Sequence, residues 1–109
     1  MLFHKSTTST LENPIDFIPN NEIPKGKIMQ ISISPFQPHQ SCPLHQHYDL
    51  WEVFIVDEGE IDITVDDTVY HLKEKDGLIV KPHHNHALVN QTDSITTMFI
   101  IGIACPESK

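Results

Sequence analysis

From residue 50 onward, apolar side chains recur at alternate positions in short runs, and each run ends in residues that turn a chain. Trp51 to Val56 is apolar at both odd and even positions, and Asp57-Glu58-Gly59 follows as a tight turn. Ile61, Ile63 and Val65 then alternate with Asp62 and Thr64, Asp66-Asp67 turns the chain again, and Val69 to Leu72 leads to Lys75-Asp76-Gly77. Leu78 to Val80, His86 to Asn90 and Ile95 to Ile103 complete the series. Successive side chains of a strand point to opposite faces, so this spacing specifies strands with one or both faces covered. No window carries a helical stripe. Short strands with closely spaced turn signals predict an all-β sandwich or barrel.

Upstream, Ile28 to Ile33 predicts one more strand, with Met29, Ile31 and Ile33 on one face and Pro35 and Pro38 bounding it. Residues 1–25 carry Pro14, Pro19 and Pro24 among Ser, Thr and Asn, which defeats a helix and predicts an extended N-terminal arm. The expected organisation is therefore an arm over 1–25 and one β domain over 26–105. At 109 residues the chain has room for a single domain.

The charge balance narrows the partners. Fifteen acids against seven bases give a net charge of −8, which repels phosphate backbones and anionic lipid. Nucleic acid and membrane surfaces are thus excluded as expected partners. The longest apolar stretch, Met98 to Cys105, is far below the roughly 20 residues of a membrane-spanning helix. The first residues show no secretory pattern, so a cytoplasmic location is expected. Cys42 and Cys105 lack the paired spacing of a zinc site and read as two reduced thiols.

Histidine is the anomaly. Seven of the eight fall between His39 and His86. His45 and His47, two apart in an extended segment, can aim both imidazoles at one point. Glu52 shares a strand face with Phe54 and Val56, and a carboxylate there costs several kcal/mol unless a cation or hydrogen bond compensates it. His86, Leu88 and Asn90 share another face. Three imidazoles and one carboxylate converging inside a barrel make a divalent-metal site.

The run His45-x-His47-x4-Glu52-x6-Gly59 resembles the first motif of the cupin superfamily, G-x5-H-x-H-x(3,4)-E-x6-G, with His39 in place of the opening glycine. The second cupin motif, G-x5-P-x-G-x2-H-x3-N, falls on Lys75, Lys81, His83, His86 and Asn90, of which the last two match. The resemblance spans roughly positions 39 to 90. It implies a double-stranded β-helix, the cupin-type jelly-roll barrel. It also implies one divalent transition-metal ion on His45, His47, Glu52 and His86, with Fe, Mn or Ni favoured over Zn, Co or Cu.

What the resemblance implies about function is a metal-dependent enzyme acting on a small molecule by dioxygenase, lyase or isomerase chemistry. Glu52 is the expected catalytic residue, leaving the metal to take a proton. The alternative is a non-catalytic cupin that binds or senses a small ligand, although the chain carries no helix-turn-helix through which a sensor would read DNA. Phe54, Met29 and Phe99 are candidate walls of a substrate pocket, with core packing as the competing role. Asn90 either steadies a metal-bound imidazole or closes a turn. His83 and His84 read as an exposed loop rather than a proton relay, and His4, His39 and His71 as surface residues. Trp51, Val53 and Ile55 form a second apolar face on the Glu52 strand. Either a second sheet or another subunit covers it, and a homodimer partner, common among small cupins, is the favoured cover.

Overall fold

The computed structural model describes residues 2–4, 28–45 and 49–104, and all of its regular structure there is β. Nine strands are present among the described residues: β1 (Leu2–His4), β2 (Ile28–Phe36), β3 (Ser41–His45), β4 (Leu50–Glu58), β5 (Ile61–Val65), β6 (Thr68–Leu72), β7 (Asp76–Val80), β8 (His86–Val89) and β9 (Thr96–Ala104). They build a five-stranded sheet in the order β1-β7-β4-β9-β2 and a four-stranded sheet in the order β3-β8-β5-β6. Every pairing is antiparallel. The alternation predicts a sandwich or barrel, and the architecture is the jelly-roll barrel that the resemblance implies.

Two apolar layers result from the two-residue period. Even positions of β4 and β7 (Phe54, Val56, Leu78, Val80) meet Ile61, Ile63, Leu72 and Leu88 of the other sheet, and this layer fills the barrel. Odd positions of β4 (Val53, Ile55) pack with Ile79, Phe99, Ile101 and Ile103 on the outer face of the larger sheet, with Trp51 beside them. Val53 and Ile55 have no exposed surface in a single copy of the chain. Their cover is therefore intramolecular, which removes the argument that this face needs a partner subunit.

Two local outcomes differ from expectation, and a third adds to it. Pro35 lies within β2 rather than ending it, opposite Thr97 of β9. Proline lacks the N–H for one ladder bond, and β2 is an edge strand, where one side of the ladder has no neighbour to serve. Gly77 sits inside β7, not in the preceding turn, and pairs with Ile55 on one side and Phe3 on the other. Leu2–His4, expected as arm, pairs with β7. The expected boundary between arm and domain lies outside the described residues.

Turns follow their residues. Gly59 follows β4 with φ 95°, a left-handed geometry that favours glycine. Asp66 turns β5 into β6 at φ 53°, a region that Asp tolerates better than most residues. Asn90 is fully buried just past β8. Its amide nitrogen donates to the carbonyls of Phe36, Gln37 and Ser94, and its amide oxygen accepts from the backbone and hydroxyl of Thr92. Of its two expected roles, Asn90 performs the closing of turns.

Candidate metal centre

Glu52 lies on the inner face of β4, level with Val80 of β7 and Gly102 of β9. His86 opens β8 in the opposite sheet, level with Val65 of β5 and His45 of β3. Their side chains meet across the interior: His86 Nε2 is 2.8 Å from Glu52 Oε1. The other ring nitrogen of His86, Nδ1, donates to the carbonyl of His84 at 3.0 Å. Phe54 packs edge-on against the His86 ring, with centroids 5.9 Å apart. The pair is shielded, with 2% of the His86 side chain and 15% of the Glu52 side chain exposed.

This arrangement satisfies a buried carboxylate without an ion, but at a chemical condition. With Nδ1 donating to a carbonyl, Nε2 carries a hydrogen towards Glu52 only if the ring is the imidazolium; otherwise the carboxyl group carries it. Burial opposes the charged ring, yet the hydrogen bond to Glu52, the bond to the His84 carbonyl and the Glu52 charge together raise the His86 pKa above the ordinary range. These contacts favour a proton between the two side chains. Cys42 also belongs to this interior layer. Burial, and then the charge of Glu52, push its pKa up, so it is a neutral thiol near pH 7.

The four expected ligands thus divide into two groups. Glu52 and His86 are brought together. The backbone of His45 lies directly across from His86, and His47 lies outside the described residues. Among the described residues no group of three or more His, Cys, Asp or Glu side chains is arranged to hold a metal ion. Of the expected pocket residues, Phe54 touches His86. Phe99 lies in the outer layer, and Met29 is exposed on β2, so neither shares the chamber of Glu52. His39 and His83 are exposed, as expected of surface residues.

Sequence reasoning missed two pairings. His71 is bracketed on the outer side of β5–β6, with Nδ1 2.5 Å from Asp62 and Nε2 2.7 Å from Glu60. His84, treated as a loop residue, holds Asp66 through Nδ1 at 2.6 Å. His84 and Asp66 are 18 positions apart, and only the pairing of β5 with β8 beside Asp66 makes them neighbours.

The backbone supports the motif register independently of the ligands. His39, Lys75 and His83 occupy the three positions where the cupin motifs carry glycine and this chain does not. All three adopt left-handed φ, at 63°, 69° and 72°. The turns are retained although their customary residue is gone.

Comparisons with known proteins agree with this geometry. The cupin domain model matches residues 33–102. No curated protein matches the chain in sequence. Solved structures of similar fold include a cupin superfamily protein from Desulfitobacterium hafniense, 24% identical with a TM-score of 0.63, covering 75% of this chain and 72% of that one. A predicted oxalate decarboxylase from Thermotoga maritima is 18% identical with a TM-score of 0.68, covering 72% and 68%. The cupin domain of Schizosaccharomyces pombe Cnp3 is 15% identical with a TM-score of 0.65, covering 68% of this chain and 54% of that one, so the chain spans about half of that neighbour's length. At these identities the likeness is one of fold. With the family match covering most of its length, the retained turns and the Glu52–His86 contact inside the barrel, the chain belongs to the cupin family.

Proposed function

We propose that the chain holds one divalent transition-metal ion on His45, His47, Glu52 and His86 and uses it to act on a small-molecule substrate. The observation that supports this reading is the Glu52–His86 pair. A carboxylate and an imidazole nitrogen face each other in a shielded interior, and the second ring nitrogen is already committed to a backbone carbonyl. That commitment is how metal-bound imidazoles are commonly oriented, because it leaves the other nitrogen's lone pair for the ion. The donor set suits Fe, Mn or Ni first, and Zn, Co or Cu also.

When bound, such an ion supplies Lewis acidity and open positions for a chelating substrate. The chain's own contribution is threefold. Phe54 and the surrounding aliphatic layer keep water away from His86. The His84 carbonyl sets the ring orientation. Glu52 Oε1 is the atom at which a proton can be held or passed. Dioxygenase, lyase or isomerase chemistry fits these parts, and a homodimer is the proposed assembly. The second reading, a non-catalytic ligand binder, uses the same residues without turnover; assays of a substrate panel under air and under nitrogen separate the two.

Elemental analysis of the purified full chain tests the centre. About one ion per chain is expected, and His47→Ala should reduce the load to a small fraction. Removing the ion with a chelator should lower the melting temperature, since free metal at 100 times its dissociation constant is worth about 2.7 kcal/mol. A full metal load in the His47→Ala variant overturns the assignment.

A further inference from the structure

A cleft of about 290 Å³ opens at the seam between β6 and β7, where the two sheets are not hydrogen-bonded to each other. Its lining includes Val65, Thr68, Tyr70, Val80, Lys81 and His84. Two of these residues place it beside the Glu52–His86 pair: Val80 is the β7 neighbour of Glu52, and Val65 is the β5 neighbour of His86. The strand β1 covers Asp76 to Leu78 of β7 and does not reach Val80 or Lys81.

The chemistry of the lining is selective. Lys81 makes no ion pair among the described residues; its ammonium lies 5.9 Å from the centroid of the Trp51 ring. No hydrogen bond is present to the hydroxyls of Thr68 and Tyr70 among the described residues. The carboxylate in the lining, Asp66, is engaged by His84 Nδ1 at 2.6 Å. The lining therefore offers one lysine and two hydroxyls, with Val65, Ile79, Val80 and the Tyr70 ring as its apolar part and the Asp66–His84 pair as the rest. A dianion would meet a single lysine on a chain of net charge −8, with Asp66 nearby. A monoanion with an apolar body has Lys81 and the two hydroxyls for its charge and Val65, Ile79 and Val80 for its body. At about 30 Å³ of liquid volume per water, the cleft holds roughly ten non-hydrogen atoms.

We propose that this cleft binds a small monocarboxylic acid with an apolar body, its carboxylate on Lys81, Thr68 and Tyr70 and its body against Val65 and Val80. The proposal names the substrate class of the metal centre and rests on that reading for its link to chemistry. Binding in the cleft itself does not need the ion.

Benzoate is the probe, titrated into the full chain and followed by methyl NMR, once in metal-loaded protein and once in metal-stripped protein. Saturable shifts of the Val65 and Val80 methyls are expected in both. Benzamide, which lacks the charge, should bind about tenfold more weakly. Lys81→Met should weaken benzoate by about the same factor and leave benzamide unchanged, and Tyr70→Phe should weaken benzoate less. Inorganic phosphate should leave both methyls unmoved. No saturable benzoate shift in either sample, equal binding of benzoate and benzamide, an unaltered benzoate affinity in folded Lys81→Met, or phosphate shifts at these methyls would each overturn the proposal. Metal content measured on the same samples judges the metal centre separately: a chain that takes no ion but binds benzoate loses the centre and keeps the cleft.

Discussion

The sharpest quantitative consequence of the fold concerns Gly59. An ideal Cβ placed there would lie 2.7 Å from Thr96 Oγ1, 3.0 Å from Thr96 Cα and 3.2 Å from the Ile95 carbonyl oxygen. Thr96 cannot simply turn away. It is fully buried, and its hydroxyl donates to the Glu60 carbonyl at 2.6 Å and accepts from the Glu60 N–H at 3.2 Å. Gly59→Ala must therefore strain a left-handed residue, at about 1–2 kcal/mol, and disturb two hydrogen bonds worth about 1 kcal/mol each. The expected destabilisation is about 3 kcal/mol. For a domain of this size that corresponds to a fall of roughly 12–15 °C in melting temperature. Urea denaturation of both proteins measures it, with the slope of the transition unchanged. Thr96→Ala alone breaks the same two bonds, so the double variant should cost distinctly less than the sum of the singles. A Gly59→Ala variant within about 0.5 kcal/mol of the parent, or strict additivity in the cycle, would refute the reasoning.

The reverse substitution gains stability where the chain lacks a glycine it could use: His83→Gly relieves a left-handed residue on an exposed loop and should raise the urea midpoint by about 0.5–1 kcal/mol equivalent, so a lowered midpoint contradicts it. The His71 pKa is raised by its hydrogen bonds to Asp62 and then Glu60, although burial opposes the charge. A raised folded-state pKa contributes stability that is fully present below the unfolded value near 6.5 and is lost as pH climbs through the folded value. Because the ring is nearly half exposed, the contribution should stay below about 1 kcal/mol; the stability difference between parent and His71→Gln should shrink from pH 5.5 to pH 9, and an increase would count against the bracketed ring. Ile31 and Ile33 stand exposed on the edge strand β2, Ile33 at 65%, with no charge between residues 28 and 36 to repel a second copy. Ile33→Glu should therefore convert the proposed homodimer to monomer in light scattering, and an unchanged mass removes β2 from the interface.

How much of this was readable beforehand depended on the kind of signal. The alternation in β5 told inside from outside, since Ile61 and Ile63 are apolar and Asp62 and Thr64 are not. In β4 both faces are apolar, so spacing grouped Glu52 with Phe54 and Val56 but could not say what covered Val53 and Ile55. On β2 the same logic misleads: Met29, Ile31 and Ile33 have the period of a buried face and are exposed, because β2 is at the sheet edge. Phe99 and Met29 failed as companions of Phe54 for a related reason. Side-chain parity can be compared within a strand, while parity between strands depends on register, and register is written in the pairing. Asp66–His84 and His71–Asp62–Glu60 left no local pattern at all, being assembled by strand pairing alone.

The displaced glycines of the two motifs carry the deeper point. His39, Lys75 and His83 break the motif letters while keeping the backbone that the letters stand for. A substitution at such a turn costs on the order of 1 kcal/mol, which a barrel core can absorb. Losing Glu52 or His86 is a different matter. Either change strands a buried polar partner in the interior, and the remaining group must then find a proton, a water or an ion. The contact between Glu52 Oε1 and His86 Nε2, and the raised His86 pKa it brings, favour a proton in that space when no ion is bound. A metal ion entering the same space has to displace it. Protons and metal therefore compete for one position, and acid should weaken the ion's hold before it weakens the barrel. The turns can drift in sequence because their cost is steric and local, whereas the pair across the two sheets answers to charge, which nothing nearby replaces.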